Sequence, residues 1–413
     1  MPNIGRILLT SVILLLIVGL IEWGAYRNVQ RVWGASSRWN WIKWSWRSVT
    51  LTQVVWTIIY FVRWPHWREF KPEWLLLTHA VLISLLIPKL FLSGIEAMEG
   101  MRFGFQWLFT SSEQRANVPR RTFISIAGQA SAGLLLGAFA HGMTFGRRGY
   151  HVRRYDVPMS NLPEALDGVR IVQISDAHLG SFLNQFDTVE PGLKMVRELN
   201  PDLLCFTGDL VNDHSDEAEP WISRFRELEG RFGKFSILGN HDYADYASRT
   251  DEEREAIRSR TKAIHGEMGF DLLLNEHRVI EINGEQLLLL GVENWGKGFR
   301  QSGDLDAARN GTLSEMPTVL LSHDPTHWEE KVMGNKAPVE LTLSGHTHGM
   351  QMGLEIPSLG IKFSPSRLRY KRWGGLYTEG GQHLHVNRGF GVLGFPGRIG
   401  MPPEITELTL RKA

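Results

Sequence analysis

Five short apolar runs in the second half of the chain each end in a cluster of acidic, amide or imidazole side chains. The runs cover residues 169–175, 202–207, 234–238, 318–322 and 339–344. Each has the length and composition of a buried β-strand, and most are closed by a glycine turn. Helical patterns at 188–198, 221–229 and 251–268 lie between several of the runs. This alternation predicts βαβ units and sheets built largely from parallel strands.

The clusters contribute eight candidate site residues, namely Asp176, His178, Asp209, Asn240, His241, His323, His346 and His348. Because ligands bind beyond the carboxyl ends of parallel strands, we expect these side chains to meet at one edge. His346 and His348 are two residues apart, and on an extended backbone both would point to the same side. Taken singly, each residue is better explained as an ordinary turn residue. The ordered set instead predicts a metal site.

The mixture of carboxylate, amide and imidazole ligands indicates which metals this site would bind. It suits manganese, iron or zinc better than magnesium or calcium alone. Without His241, the set contains seven ligands, which are too many for one tetrahedral ion. They fit two divalent ions that share one carboxylate, an arrangement that clamps a phosphoryl oxygen during in-line displacement. The predicted cofactor is therefore a pair of divalent metal ions.

The order of the motifs D-x-H, GD, GNHD, a single histidine and GHTH resembles that of the calcineurin-like metallophosphoesterases. The resemblance covers about residues 168–410. It is strongest with a bacterial membrane-anchored branch, similar to UDP-2,3-diacylglucosamine hydrolase-like and twin-arginine-exported phosphoesterases, through Asn387-Arg388-Gly389 and Pro403-Glu404-Ile405. It implies a four-layer α-β-β-α sandwich over residues 168–413 and a metal-dependent phosphoric ester hydrolase.

The resemblance also implies roles for the site residues. Asp176, His178 and His348 would hold the first ion, Asn240, His323 and His346 the second, and Asp209 would bridge them. A hydroxide held between the ions would attack the phosphorus, and His241 would act as general acid because imidazole titrates near neutral pH.

One position departs from the family pattern. Many relatives carry a carboxylate three residues after GD that supports the acid histidine, but this chain has Asn212 there. The group that orients His241 therefore stays open between Asp213 and Asp242, and we include Asp242 among the catalytic candidates. Arg388 and Arg398 could contact a phosphate, but a solvated or interface position is the better explanation for both.

The first part of the chain has a membrane composition. Eleven of the fifteen tryptophans lie before residue 108, and tryptophan beside long apolar runs is typical of membrane interfaces. We predict an all-α transmembrane region over residues 1–146, followed by a linker over 147–167. About four helices are expected, at 7–23, 51–63, 74–92 and 122–143. For 51–63, an interfacial or re-entrant helix is an alternative.

Two features bear on the side of the membrane. Arg120-Arg121-Thr122-Phe123-Ile124 resembles an internal twin-arginine export signal, although a positive flank of a membrane helix explains it equally well. The basic residues between positions 27 and 47 favour the cytoplasm, and with four spans they place the carboxyl-terminal domain outside. The arginines at 147, 148, 153 and 154 argue the other way.

The sequence thus predicts a multi-pass protein of a bacterial cytoplasmic membrane with an extracytoplasmic phosphoesterase domain. Its expected partners are the bilayer and a phosphorylated, lipid-linked or nucleotide-lipid substrate. The alternative is a membrane sensor or scaffold whose domain binds ligand without catalysis. A net charge of +1 gives no electrostatic case for nucleic acid. The pattern makes no prediction of the oligomeric state.

Overall fold

The computed structural model describes residues 4–67, 73–109, 118–312, 315–335 and 338–413. The chain divides into two compact units, Met1–Ala140 and His141–Ala413.

The amino-terminal unit is built from four long helices. They are α1 (Ile4–Trp33), α2 (Trp39–Trp67), α3 (Glu73–Phe109) and α4 (Val118–Thr144), whose last residues enter the second unit. Each predicted span lies inside one of them. Among the described residues, Ala80–Phe105 and Arg120–Arg148 are long and apolar enough to cross a membrane. Crossing by α1 and α2 stays a prediction.

An ion pair lies inside this helical unit. Lys89 Nζ on α3 is 2.5 Å from Glu22 Oε1 on α1. Thr50 and Trp46 of α2 donate to the other oxygen of Glu22, at 2.8 and 3.1 Å. Ionisable groups among apolar helices are tolerated when they are paired and hydrogen-bonded. This network therefore joins three of the four helices.

A second buried carboxylate, Glu96, binds one arginine of the pair that precedes the fourth predicted span. Glu96 on α3 accepts from Arg31 of α1 at 2.6 Å and from Arg121 of α4 at 3.1 Å. Arg121 is thus engaged inside the helical unit, whereas Arg120 is exposed. The contact favours a structural role for Arg121.

The second unit contains two six-stranded sheets. The first has the order β1-β14-β2-β3-β4-β5, with β1 (His151–Met159), β2 (Arg170–Ile174), β3 (Leu203–Phe206), β4 (Lys234–Ser236), β5 (Asp271–Leu272) and β14 (Glu404–Lys412). The second has the order β12-β13-β9-β8-β7-β6, with β6 (Glu276–Ile282), β7 (Glu285–Gly291), β8 (Thr318–Leu321), β9 (Leu341–Ser344), β12 (Gly375–Glu379) and β13 (Gln382–Val386). A separate hairpin pairs β10 (Leu354–Ile356) with β11 (Ile361–Phe363).

The two sheets pack face to face. Side chains such as Ile171, Leu203, Leu289 and Leu343 fill the space between them. The outer face of the first sheet is covered by α5 (Phe186–Leu199), α6 (Ile222–Arg226) and α7 (Asp251–Glu267), and α8 (Leu305–Arg309) packs on the second. Alternate residues of one strand therefore enter different apolar layers, since Ile171 faces the other sheet and Val172 faces the helices. The predicted four-layer α-β-β-α sandwich is confirmed.

One prediction about the strands is wrong. Residues 151–159, placed in the linker 147–167, form β1, which pairs in parallel with β14 along its whole length. Arg153, Arg154 and Asp156 interrupt the apolar pattern because β1 is an edge strand with one solvated side. β14 follows β12 and β13 in the sequence, but it lies between β1 and β2 in the other sheet. Nearness in sequence does not decide strand pairing.

Candidate active site

The candidate ligands follow the carboxyl ends of five strands. β2, β3 and β4 are neighbours in the first sheet, and β8 and β9 are neighbours in the second. The structure brings together the side chains that follow these strands, namely Asp176 and His178 after β2, Asp209 after β3, Asn240 and His241 after β4, His323 after β8, and His346 and His348 after β9. These side chains therefore converge at one edge, as the sequence predicts.

One group of ligand atoms contains Asp176, His178 and His348, all buried. The Nε2 atoms of His178 and His348 face each other at 3.1 Å, and Asp176 Oδ1 is 3.2 Å from Nε2 of His348. Burial lowers the pKa of His178 well below its ordinary value, and His348 adds to this effect against the opposing charge of Asp209. Neutral imidazole is the form that binds metal. The donors present therefore fit a divalent cation.

The second group contains Asp209, His323 and His346, with Asn240 beside them. Asn240 Oδ1 is 2.7 Å from His346 Nδ1 and 3.2 Å from His323 Nε2. Burial opposes a charge on His323, but the Asp209 carboxylate outweighs it and raises the pKa of His323 to about 10. Metal binding at this group would release that proton, because a metal-bound imidazole is neutral.

Asp209 is the residue that joins the two groups. Its Oδ2 is 3.2 Å from His323 Nε2 and 3.5 Å from His178 Nε2. Its Oδ1 accepts the backbone N–H of His241 at 2.8 Å. One carboxylate oxygen thus contacts both sets of imidazoles, which is the position a bridging ligand requires.

The backbone at the site is strained. Asp176, His178, Asp209, His346 and His348 all have positive φ, between 44° and 70°, which costs about 1–2 kcal/mol for each residue other than glycine. The assumption that His346 and His348 lie on extended backbone is therefore wrong. They occupy left-handed turn positions and contact different ligand groups. Such strain clusters at functional sites, where the surrounding structure holds it.

Gly345 allows the turn after β9 to lie close to the turn after β2. A Cβ atom at this position would lie 2.0 Å from Ser175 Oγ and 2.2 Å from Asp176 Oδ2. The next residue, His346, donates its backbone N–H to both oxygens of Asp176, at 2.9 and 3.0 Å. Any side chain at 345 would displace this carboxylate.

We expect Gly345→Ala to weaken metal binding by the group that contains Asp176 and to lower the melting temperature. Overpacking at a rigid site costs about 1–3 kcal/mol. The matched control is Gly266→Ala in α7, where an added Cβ meets no neighbour within 4 Å and alanine is the better helix former. Metal analysis and thermal unfolding of both variants test this. Full metal content in Gly345→Ala would show that the close approach is not needed.

Further groups hold the imidazoles in position. His323 Nδ1 bonds the carbonyl of Thr207 at 2.7 Å. His346 Nε2 lies 2.8 Å from the hydroxyl of Tyr370 and 3.4 Å from Asp324 Oδ2. Such partners fix the orientation of a metal-binding histidine. Neither Tyr370 nor Asp324 was predicted from the sequence. Asp324 directly follows a ligand, but nothing in the pattern marks Tyr370.

The ring of His241 lies beside the ligand groups. Its Nδ1 is 2.6 Å from the backbone carbonyl of Asn212, so Nδ1 carries a proton and donates it. Tyr246 stacks on the ring with centroids 4.3 Å apart, and His178 packs edge-on at 5.0 Å. Asn212 stands where many relatives carry a carboxylate, and it therefore orients His241 through its main-chain carbonyl.

Neither acidic candidate for orienting His241 does so. Asp242 accepts backbone N–H groups from Gly239, Asp209, Leu210 and Val211 at 2.8–3.2 Å. Burial and the Asp209 carboxylate raise the pKa of Asp242 to about 7. Asp213 instead pairs with Arg249 at 2.7 Å. The Asp242 carboxylate instead organises the turn after β3, and a catalytic role for Asp242 stays a prediction.

Arg388 and Arg398, for which a solvated or interface position was predicted, are both buried. Arg388 pairs with Glu404 and Glu355, each at 2.6 Å. Arg398 donates to the carbonyls of Arg388, Gly389 and Gly391. Burial lowers the pKa of Arg398 to about 10. Both side chains support the loop behind His348.

The fold and the site together define a metallophosphoesterase. The chain belongs to the calcineurin-like phosphoesterases, whose family description matches residues 169–350. Residues 5–147 match a second family, described as "Probable Calcineurin-like phosphoesterase, transmembrane domain". The protein is therefore a membrane-associated member of the family.

Several curated proteins are similar. An uncharacterized metallophosphoesterase of Bacillus subtilis, YkuE, is 29% identical over 67% of this chain and 95% of its own length. The UDP-2,3-diacylglucosamine pyrophosphatase LpxG of Chlamydia trachomatis is 30% identical over 59% of this chain and 85% of its own. A zebrafish transmembrane protein with metallophosphoesterase domain is 30% identical over 62% of this chain, and the match spans 56% of that relative.

Proposed function

We propose that this protein is a membrane-bound phosphoesterase that works with two divalent metal ions. The contact of one Asp209 oxygen with imidazoles of both ligand groups carries the proposal. Asp176, His178 and His348 would hold one ion, Asn240, His323 and His346 the other, and Asp209 would be shared. The carboxylate, amide and imidazole donors fit manganese, iron or zinc. Such a pair of ions supplies positive charge for a phosphoryl group and lowers the pKa of bound water.

His241 is the proposed general acid. Because Nδ1 donates to the carbonyl of Asn212, Nε2 is the nitrogen that can deliver a proton. Tyr246 stacked on one side and His178 edge-on at another restrict the ring to one orientation. Protonation of the leaving oxygen as the bond to phosphorus breaks would let the leaving group depart as an alcohol, or as a phosphate of lower charge, instead of as an alkoxide.

The proposed substrate is a phosphate ester or pyrophosphate on a lipid. Two features support this. LpxG, a relative at 30% identity, is named as a pyrophosphatase of a diacylated nucleotide sugar. The chain also carries its own transmembrane domain, and a membrane-bound enzyme meets lipid substrates without waiting for them to leave the bilayer.

A substrate screen of the full-length protein with Mn²⁺ tests the function. Release of phosphate or of a phosphorylated head group is measured from aryl monoesters, diesters and lipid extracts. We expect metal-dependent turnover that is absent in Asp209→Ala. Binding without turnover of any substrate would favour the sensor or scaffold alternative.

We also propose that the domain after Met143 lies outside the cytoplasm, on the basis of the basic residues between 27 and 47. A reporter active only outside the cytoplasm, fused after Ala413, should be active. Arg120→Lys should leave the reporter active. The reason is that the other arginine of the pair, Arg121, donates to Glu96 and is thus engaged in a structural contact. A silent parent fusion would place the domain inside. Loss of activity in Arg120→Lys would assign an export signal.

A further inference from the structure

Exposed apolar side chains of the phosphoesterase unit concentrate in one segment. Nine large hydrophobic residues of its described part are exposed, and six of them lie between 350 and 368. They are Met350 (57%), Leu354 (50%), Leu359 (68%), Ile361 (39%), Phe363 (53%) and Leu368 (93%). Single exposed hydrophobic residues are normal, but a contiguous group marks an interaction surface.

The hairpin of β10 and β11 presents three of these residues, Leu354, Ile361 and Phe363, on one face. Leu354 pairs with Phe363, and Glu355 pairs with Lys362 in the next register position. Because neighbouring residues of a strand point to opposite faces, the apolar pair and the charged pair lie on different sides. Glu355 is bound on its own side by Arg153 and Arg388, each at 2.6 Å. The hairpin is thus held by its polar face, and its apolar face is left outward.

The same segment is attached to the candidate metal centre. Ser364, directly after β11, donates to the carbonyl of Gly349 at 2.5 Å. Tyr370 lies 2.8 Å from Nε2 of His346. Met350 follows the turn that carries His346 and His348. Whatever binds the apolar surface is therefore brought next to the proposed ligands.

The charge of the segment indicates its partner. Between residues 354 and 371 the sequence contains one acidic residue, Glu355, and it is paired. Arg367, Arg369 and Lys371 are exposed. Apolar residues flanked by unopposed basic residues are typical of elements that lie in the interface of a membrane with anionic lipids. A soluble protein partner would need acidic groups around an apolar socket, whereas the chain already carries a transmembrane domain.

We propose that residues 350–371 dock into the surface of an anionic bilayer and present phosphorylated lipid head groups to the metal centre. The presentation of head groups to the metal centre rests on the proposed phosphoesterase function. The docking itself depends only on residues 350–371.

Fluorescence quenching in lipid tests the docking. The single cysteine, Cys205, is buried, so a thiol-reactive fluorophore would label cysteines introduced as Leu359→Cys or Leu368→Cys. The full chain is placed in vesicles of equimolar phosphatidylcholine and phosphatidylglycerol with brominated acyl chains. We expect quenching at 359 and 368. The matched control is Val279→Cys on β6, a 47% exposed residue outside the segment, and it should stay unquenched.

Two results would overturn the docking. One is equal quenching at 359 and 279. The other is loss of fluorescence at 359 that depends on protein density and not on brominated lipid, which would show that a second copy covers the surface.

The turnover of lipid relative to a soluble aryl phosphate tests head-group presentation. For Leu359→Ser/Leu368→Ser we expect this ratio to fall about tenfold or more, since each leucine withdrawn from lipid weakens partitioning by at least about that factor. Val279→Ser should keep the parent ratio. An unchanged ratio in the double variant would refute presentation. A parent chain inactive on every substrate would refute the proposed function, and the quenching experiment would still decide the docking.

Discussion

Asp209→Ala is expected to lose both metal ions and all measurable phosphoesterase activity. The Oδ2 atom of this residue contacts His323 at 3.2 Å and His178 at 3.5 Å, so its removal takes a ligand from each proposed ion. The variant also loses the acceptor for the backbone N–H of His241. Elemental analysis of the purified full-length chain, with the parent protein at two ions per chain, measures the effect.

Two comparisons make this result specific. His348→Ala removes a ligand from one group and should mainly reduce one ion. Asp213→Ala removes a buried carboxylate that pairs with Arg249, and it should keep both ions although breaking a buried pair costs about 3–5 kcal/mol of stability. If Asp209→Ala still holds two ions per chain, the bridging assignment is wrong.

His241→Ala should keep both ions and lower kcat by about 10²–10⁴-fold for substrates with poor leaving groups. An alkyl phosphate needs a proton on its leaving oxygen, whereas an activated aryl phosphate leaves readily as a stable anion. The aryl substrate should therefore lose much less. Steady-state rates on the two substrates, with metal content measured in parallel, test the assignment.

The control is His214→Ala, which removes a partly exposed histidine whose side chain contacts Asp216. Its rates should match those of the parent on both substrates. Equal losses on alkyl and aryl substrates in His241→Ala would mean that the histidine supports the site without donating a proton to the leaving group.

Much of the sandwich could be predicted because its central strands are buried on both faces. Strands such as β3, with the sequence Leu-Leu-Cys-Phe, are short and wholly apolar, and a glycine, Gly208, follows two residues after the strand, so this signal is local. Their parallel arrangement then places the residues that follow them at one edge. The eight site residues could be named for this reason, before any contact between them was known.

The missed features depend on contacts between distant parts of the chain. β1 has a charged edge and is recognisable only through its partner β14, about 250 residues later. Tyr370 reaches His346 from a loop that no periodic pattern describes. The main-chain carbonyl of Asn212 bonds His241 in place of a carboxylate side chain. Every residue has such a carbonyl, so the sequence does not indicate which one makes the contact. Asp242 was a candidate partner of His241 because it is the next residue in the sequence, but its carboxylate bonds backbone N–H groups of other residues.

A crystal of the Mn²⁺-loaded full-length protein, measured at a wavelength where manganese scatters anomalously, would show how many ions the site binds. We expect two anomalous peaks, one among Asp176, His178 and His348 and one among Asn240, His323 and His346. Both peaks should lie against the carboxylate of Asp209. A single peak, or two peaks that do not share Asp209, would contradict the dinuclear centre.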